Sequence, residues 1–228
     1  MKKGILIIDA QNDFFPGGAL GIDDADQIIK PIETLLKTFP NVPIYLTQDW
    51  HLEDSIHFEE RGGQWPPHCI QESFGAEIQK DIAAALQKIF DKENTLTVKA
   101  YRKGTDPKND GGYSAFEAKC EGAIVSDPKG DLWDSTKGNF LLKDLKLDKI
   151  DTLIVCGLAT DYCVKASVLD ALSYGFKVQI LLEGIRAVNL ESTDAIYDLQ
   201  EMIDAGAEIY TMLVGVYCKI DLYKFYIK

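Results

Sequence analysis

Six short runs of consecutive apolar and β-branched residues punctuate the chain: Ile5–Ile8, Pro43–Thr47, Thr95–Val98, Thr152–Val155, Val178–Leu182 and Ala207–Leu213. Each is too short and too uninterrupted for the i, i+3, i+4 spacing of an amphipathic helix, and each is expected to be a strand buried on both faces. Helical patterning fills the intervals, notably over Asp26–Thr38, Ala76–Phe90, Asp161–Tyr174 and Ser192–Ala205, with Gly175 and Gly206 placed as helix stops. The alternation predicts an α/β fold: an open three-layer sandwich around a mostly parallel sheet of about six strands, rather than an eight-fold barrel. Such sheets carry their chemistry at the carboxyl ends of the strands. A single domain over residues 1–228 is expected, without repeats, low-complexity tracts or linkers. Two stretches depart from the alternation. Glu117–Gly138 is polar and reads as a surface insertion. The tail over 213–228 carries Tyr217, Tyr223, Phe225 and Tyr226, and aromatics of this kind are expected to pack against the body or a second subunit, so a homo-oligomer is left open.

Composition narrows the class of partner. The formal net charge of -12 disfavours nucleic acid and anionic membrane surfaces, which an acidic protein repels. A small-molecule substrate is therefore expected. The five cysteines are odd in number and widely spaced, with no CxxC pair, a pattern that favours a reducing compartment. The opening apolar run ends at Asp9 and is too short for a secretion signal. No stretch approaches the about 18 apolar residues of a membrane span. A cytoplasmic location is the resulting expectation.

Four groups of residues could carry chemistry. Asp9 closes the opening strand in Ile7-Ile8-Asp9-Ala10-Gln11-Asn12-Asp13-Phe14, although an aspartate there serves equally well as a turn or helix cap. Cys163 lies in Gly157-Leu158-Ala159-Thr160-Asp161-Tyr162-Cys163-Val164, between a strand and the next helix. A thiol at a helix N-terminus is expected to have a lowered pKa, and the amides there suit a developing oxyanion. A helix cysteine is more often inert packing, the role expected of Cys156. All three histidines, His51, His57 and His68, fall within one short region that also holds Asp49. Asp49 and His51 are two apart and share a side of an extended segment, so a carboxylate with imidazoles suits zinc, manganese or iron. Finally, Lys99 and Lys103 follow the third apolar run. Either could favour a thiolate, and spacing does not choose between them.

Taken together, these motifs resemble the isochorismatase-like cysteine hydrolases, and within them the nicotinamidase (pyrazinamidase) group. The resemblance covers most of the chain and is carried by the Asp9 and Cys163 motifs, Thr47-Gln48-Asp49-Trp50-His51, Trp65-Pro66-Pro67-His68-Cys69, Arg102-Lys103-Gly104-Thr105-Asp106 and Tyr113-Ser114-Ala115-Phe116. It implies a Rossmann-like sandwich and a catalytic triad of Asp9, Lys103 and Cys163, with Lys99 outside it. It also implies one divalent metal, zinc first with iron or manganese as alternatives, held by Asp49, His51 and His68, with His57 as a further or alternative ligand. A cis bond before Ala159, an oxyanion hole from the Ala159 and Cys163 amides, and substrate contacts from Phe14, Trp65 and Tyr113 belong to the same implied set.

The activity implied is hydrolysis of nicotinamide to nicotinic acid and ammonia through a Cys163 thioester, in NAD salvage, with pyrazinamide as a related substrate. Two rivals stand beside it. Another isochorismatase-like amidohydrolase would explain the triad but not the metal motif. A non-catalytic metal-binding or redox-sensing protein would explain Cys163 while leaving Asp9 and Lys103 idle.

Overall fold

Alternation along the first strand sets the layers. In the computed structural model, which describes residues 1–92, 97–108, 112–118, 140–213 and 216–220, β1 spans Lys3–Ile8 and is buried from Gly4 onward. Ile5 and Ile7 point into one core with Ile32, Leu35 and Leu36 of α1 (Ile29–Thr38) and Ile82, Leu86 and Ile89 of α2 (Lys80–Lys92). Leu6 and Ile8 point the other way, toward Leu141 and Leu145 of α3 (Phe140–Leu147), Val168 and Ala171 of α4 (Lys165–Ser173) and Met202 of α5 (Asp194–Asp204). A strand buried on both faces has no polar alternation to show, which is why its sequence reads as a continuous apolar run. Each fully buried Ile or Leu contributes on the order of 1.5–3 kcal/mol.

The remaining strands are β2 (Ile44–Asp49), β3 (Val98–Lys103), β4 (Thr152–Leu158), β5 (Lys177–Arg186), β6 (Glu208–Leu213) and β7 (Val216–Lys219). They form one sheet in the order β3-β2-β1-β4-β5-β6-β7. All neighbours are parallel except β6 and β7, which pair antiparallel. Chain order reverses direction between β1 and β4, and a doubly wound sheet opens its crevice at such a switch point.

Three expectations need correction. The third strand spans Val98–Lys103, with Thr97 outside it, so of the expected Thr95–Val98 run only Val98 is seen in the strand, Thr95 and Leu96 lying outside the described residues, and Lys103 closes a strand instead of following one. The apolar run pointed to the entry of this strand, and the strand itself continues through residues whose polar ends reach the sheet's carboxyl edge. The helix expected from Asp161 begins as a π-helical turn over Thr160–Val164 and becomes α-helical only at Lys165. The sheet also has a seventh strand, because Val216–Lys219 turns back onto β6. There Tyr217 stacks on Tyr210 with centroids 4.5 Å apart, meets Phe39 edge-on at 5.3 Å, and has the Lys3 ammonium 4.9 Å from its ring centre. The inferred insertion over 117–138 lies outside the described residues apart from Glu117 and Ala118, as does the tail beyond Ile220. Among the described residues no helix is long and apolar enough to cross a membrane, and Cys69, Cys156, Cys163 and Cys218 are free thiols.

Candidate active site

Four strand ends deliver the side chains singled out above. Asp9 follows β1, Asp49 closes β2, Lys103 closes β3, and Cys163 sits in the turn beyond β4. Register does the placing: Asp49 lies directly opposite Lys103 across the β2–β3 pair. The Lys103 ammonium is fully buried and bonds the Asp49 carboxylate at 2.5 Å and the Cys163 sulfur at 3.2 Å, with Asp9 Oδ2 at 2.9 Å. The other Asp9 oxygen accepts from the Thr47 hydroxyl at 2.7 Å, and that hydroxyl receives the Asp9 amide at 3.1 Å. Lys99 turns instead to Asp144 and Asp148 at the opposite end of its strand.

Gln11, which the sequence reading passed over, ties two of these strand ends together. Its buried amide donates to the Asp49 carbonyl at 2.7 Å, accepts from the Asp49 amide at 2.7 Å, and also donates to Ala76. The signal was present as a polar residue two positions beyond Asp9, in a segment otherwise read for its carboxylates.

Burial governs the electrostatics. It pushes the Asp9 carboxyl up to about 6; Lys103 draws it down and Asp49 raises it further. Burial likewise drives the Cys163 thiol well above its ordinary value; Lys103 opposes this, while the Asp9 and Asp49 charges and a hydrogen bond to Asp9 add to it. The lowered thiol expected from a helix N-terminus is therefore not what this environment produces, because desolvation and two carboxylates outweigh one ammonium. Lys103 remains charged despite burial, since Asp49 and Asp9 hold its pKa well above the usual lysine range. Burial opposes ionisation of Asp49 too, but Lys103 and the neighbouring imidazoles win and keep its carboxyl well below the usual range.

Beside this group the three histidines converge. One ring nitrogen from each of His51, His57 and His68 lies within 4.8 Å of the others, and Asp49 Oδ2 stands 3.9 Å from His51 Nε2. His51 Nε2 is buried without a hydrogen-bond partner among the described residues, and burial lowers the His68 pKa to about 4, which keeps that ring neutral. An orphaned imidazole nitrogen beside two further imidazoles and a carboxylate is a donor set that fits a divalent transition metal. His57 stacks on His51 with centroids 4.7 Å apart, so all four expected ligands are in one place.

Over the thiol lies a pocket lined by Phe14, Trp65, Tyr113, Ala159 and Cys163, together with Asp49, His57 and His68. Leu20, Ile22, Tyr162 and Val188 complete the wall and were not anticipated. Tyr162 is the informative one: it meets Trp65 edge-on at 4.9 Å, and the Trp65 indole donates to the Tyr113 hydroxyl at 2.9 Å. Its place next to Cys163 was legible, but the direction of its side chain depends on the π-helical turn. The Leu158-Ala159 bond is cis. Asp161 holds the wall from behind by accepting from the Val188 and Asn189 amides at 3.0 and 2.8 Å.

Comparison with known proteins gives this arrangement a lineage. The isochorismatase domain model matches residues 3–101 and 121–212. The chain belongs to the isochorismatase family. Among curated members of that family, the Escherichia coli nicotinamidase is 33% identical over 92% of this chain and 95% of its own length. The Mycobacterium tuberculosis nicotinamidase/pyrazinamidase is 27% identical over 91% and 97%. A zinc complex of Pyrococcus horikoshii pyrazinamidase superposes with a TM-score of 0.68 at 31% identity, covering 92% of this chain and 98% of that one. PnC1 from L. infantum bound to nicotinate gives 0.73 at 28% identity, covering 91% of each. The family match ends at Met212, so β7 lies beyond it.

Proposed function

We propose that this isochorismatase-family chain is a nicotinamidase, hydrolysing nicotinamide to nicotinic acid and ammonia in NAD salvage, with pyrazinamide as a second substrate, and that residues 1–228 act as one hydrolase domain. The observation that carries the reading is the buried contact of Lys103 with Asp9, Asp49 and Cys163, next to a pocket that Asp49 and Cys163 help to line together with Phe14, Trp65, Tyr113 and Tyr162. Its relatives carry the same activity in their names.

Asp9 is the general base. Its carboxyl, pushed up to about 6, is ionised at neutral pH yet basic enough to take the Cys163 proton. The sulfur then attacks the carboxamide carbon, and the new S–C bond places negative charge on the carbonyl oxygen, which the Ala159 and Cys163 amides receive. Protonated Asp9 returns its proton to the departing nitrogen; the C–N bond breaks, ammonia leaves, and a nicotinoyl thioester remains. Asp9 next deprotonates a water that adds to the thioester carbon. Expulsion of the sulfur, reprotonated by Asp9, releases nicotinic acid. Lys103 stays charged throughout and balances whichever of Asp9 and Cys163 carries the negative charge.

Phe14, Trp65 and Tyr113, with Tyr162, confine a planar ring. Asp49, His51 and His68, with His57 beside them, hold a divalent metal, zinc by preference, with iron and manganese served by the same donors. When bound there it supplies a Lewis-acidic anchor for the ring nitrogen, while the nucleophile comes from cysteine. Ammonia release from nicotinamide tests the reading, with wild type compared against Cys163→Ala and metal-stripped protein. Loss of turnover in both supports the whole assignment. Loss in Cys163→Ala alone demotes the metal to a structural part, and no turnover by metal-replete wild type sinks the nicotinamidase reading.

A further inference from the structure

Two of the histidines at the cation site are tethered alike: His51 Nδ1 faces the Gly104 carbonyl at 3.1 Å, and His68 Nδ1 faces the Pro66 carbonyl at 2.8 Å. A carbonyl accepts only, so each tether calls for a proton on Nδ1 and leaves Nε2 with its lone pair exposed. In His51 that Nε2 is buried and has no hydrogen-bond partner among the described residues. Gly104 does more than supply an oxygen. Its φ is +67°, and a Cβ at this position would fall 2.4 Å from His51 Cε1 and 2.6 Å from Nδ1. The ring has little room to retreat, since it is 3% exposed, stacked on His57 at 4.7 Å and edge-on to Phe58 at 5.4 Å.

We propose that Gly104 is a positioning residue for the metal site: its carbonyl selects the His51 tautomer with Nε2 bare, and its missing side chain sets where the ring stands. The inference rests on the reading of Asp49, His51 and His68 as a cation site. It also gives the Lys103-Gly104 dipeptide a double task, because Lys103 grips the Asp49 carboxylate while the next residue fixes His51.

The test is zinc affinity of the full chain, measured by competition with a chromophoric chelator, for wild type, Gly104→Ala and Gly104→Asn. Both variants carry the obstructing Cβ, but asparagine tolerates a positive φ far better than alanine. Disturbing an outer-sphere contact weakens metal binding by about 10–100-fold, and a loss of that size is expected in both, because the added Cβ pushes the His51 ring off the Gly104 carbonyl. Wild-type affinity in both variants would overturn the proposal. Loss in alanine with full recovery in asparagine would assign the effect to backbone strain and overturn the packing role. A wild type that binds no zinc would remove the cation site itself, a failure separate from that of Gly104. Should neither variant fold, 15N-histidine spectra of metal-free wild type at pH 8 decide, with His51 assigned by His51→Gln. The Nδ1–H form is expected there, and the Nε2–H form would overturn the proposal. Where Gly104→Ala does fold, the His51 signals should move and those of His68, tethered to Pro66, should not.

Discussion

A single buried ammonium faces two carboxylates and a thiol, and it cannot neutralise all three at once. Asp49, bonded at 2.5 Å, keeps its charge, which leaves Asp9 and Cys163 to share one proton. Burial raises both groups, so at neutral pH the proton rests on the thiol and passes to Asp9 as the sulfur attacks. Asp9→Asn removes the acceptor without altering shape; kcat/KM for nicotinamide should fall about a thousand-fold, while zinc affinity, measured by the same chelator competition, stays near wild type. Retained turnover would take Asp9 out of the mechanism. The pH dependence follows with its sign: the active form is the carboxylate, so kcat/KM should decline as pH falls through about 6. An acidic limb centred in the ordinary carboxylate range would mean that Asp9 is more solvated than its burial implies.

At the scale of elements, the choice between Lys99 and Lys103 shows what a sequence reveals and what it hides. Both lie on the same face of β3, as their even spacing requires, so alternation could not separate them. What separates them is position along the strand: Lys103 is its last residue and Lys99 its second, and an apolar run starting at Thr95 gives no hint of where the strand stops. Asp9 was legible because an apolar run ends abruptly at it, and Asp49 with the three histidines because they gather within one short region. Tyr162 and Gln11 were not, since a turn and a cross-strand clamp fixed their orientations. β7 was equally hidden, its four residues being too short for a pattern. Its anchor is the stack of Tyr217 on Tyr210 with Lys3 and Phe39, and Tyr217 also bonds Gln179 at 3.3 Å. Tyr217→Ala should cost about 2 kcal/mol for a half-buried aromatic and lower Tm by about 4–8 °C in a chain of this size, with nicotinamide turnover unchanged. An unaltered melting curve would show that this stack does not hold the sheet edge.

For the molecule as a whole, the sheet order β3-β2-β1-β4-β5-β6-β7 brings together residues far apart in sequence. Lys103 and Cys163 are 60 positions apart, and Asp49 and Lys103 are 54. No helix or hairpin contains two members of the triad, so no fragment that folds locally contains a working site. Parallel pairings of this kind must close long loops before their contacts repay the lost entropy. Catalysis is thereby a late reporter of refolding. After dilution from denaturant, far-UV ellipticity should recover ahead of ammonia-releasing activity, and the lag should persist with zinc in excess. Coincident recovery would mean that the four strands around β1 assemble in one step. A chain arrested before β3 and β4 flank the first pair would therefore be chemically silent, its thiol not yet beside the base that unlocks it.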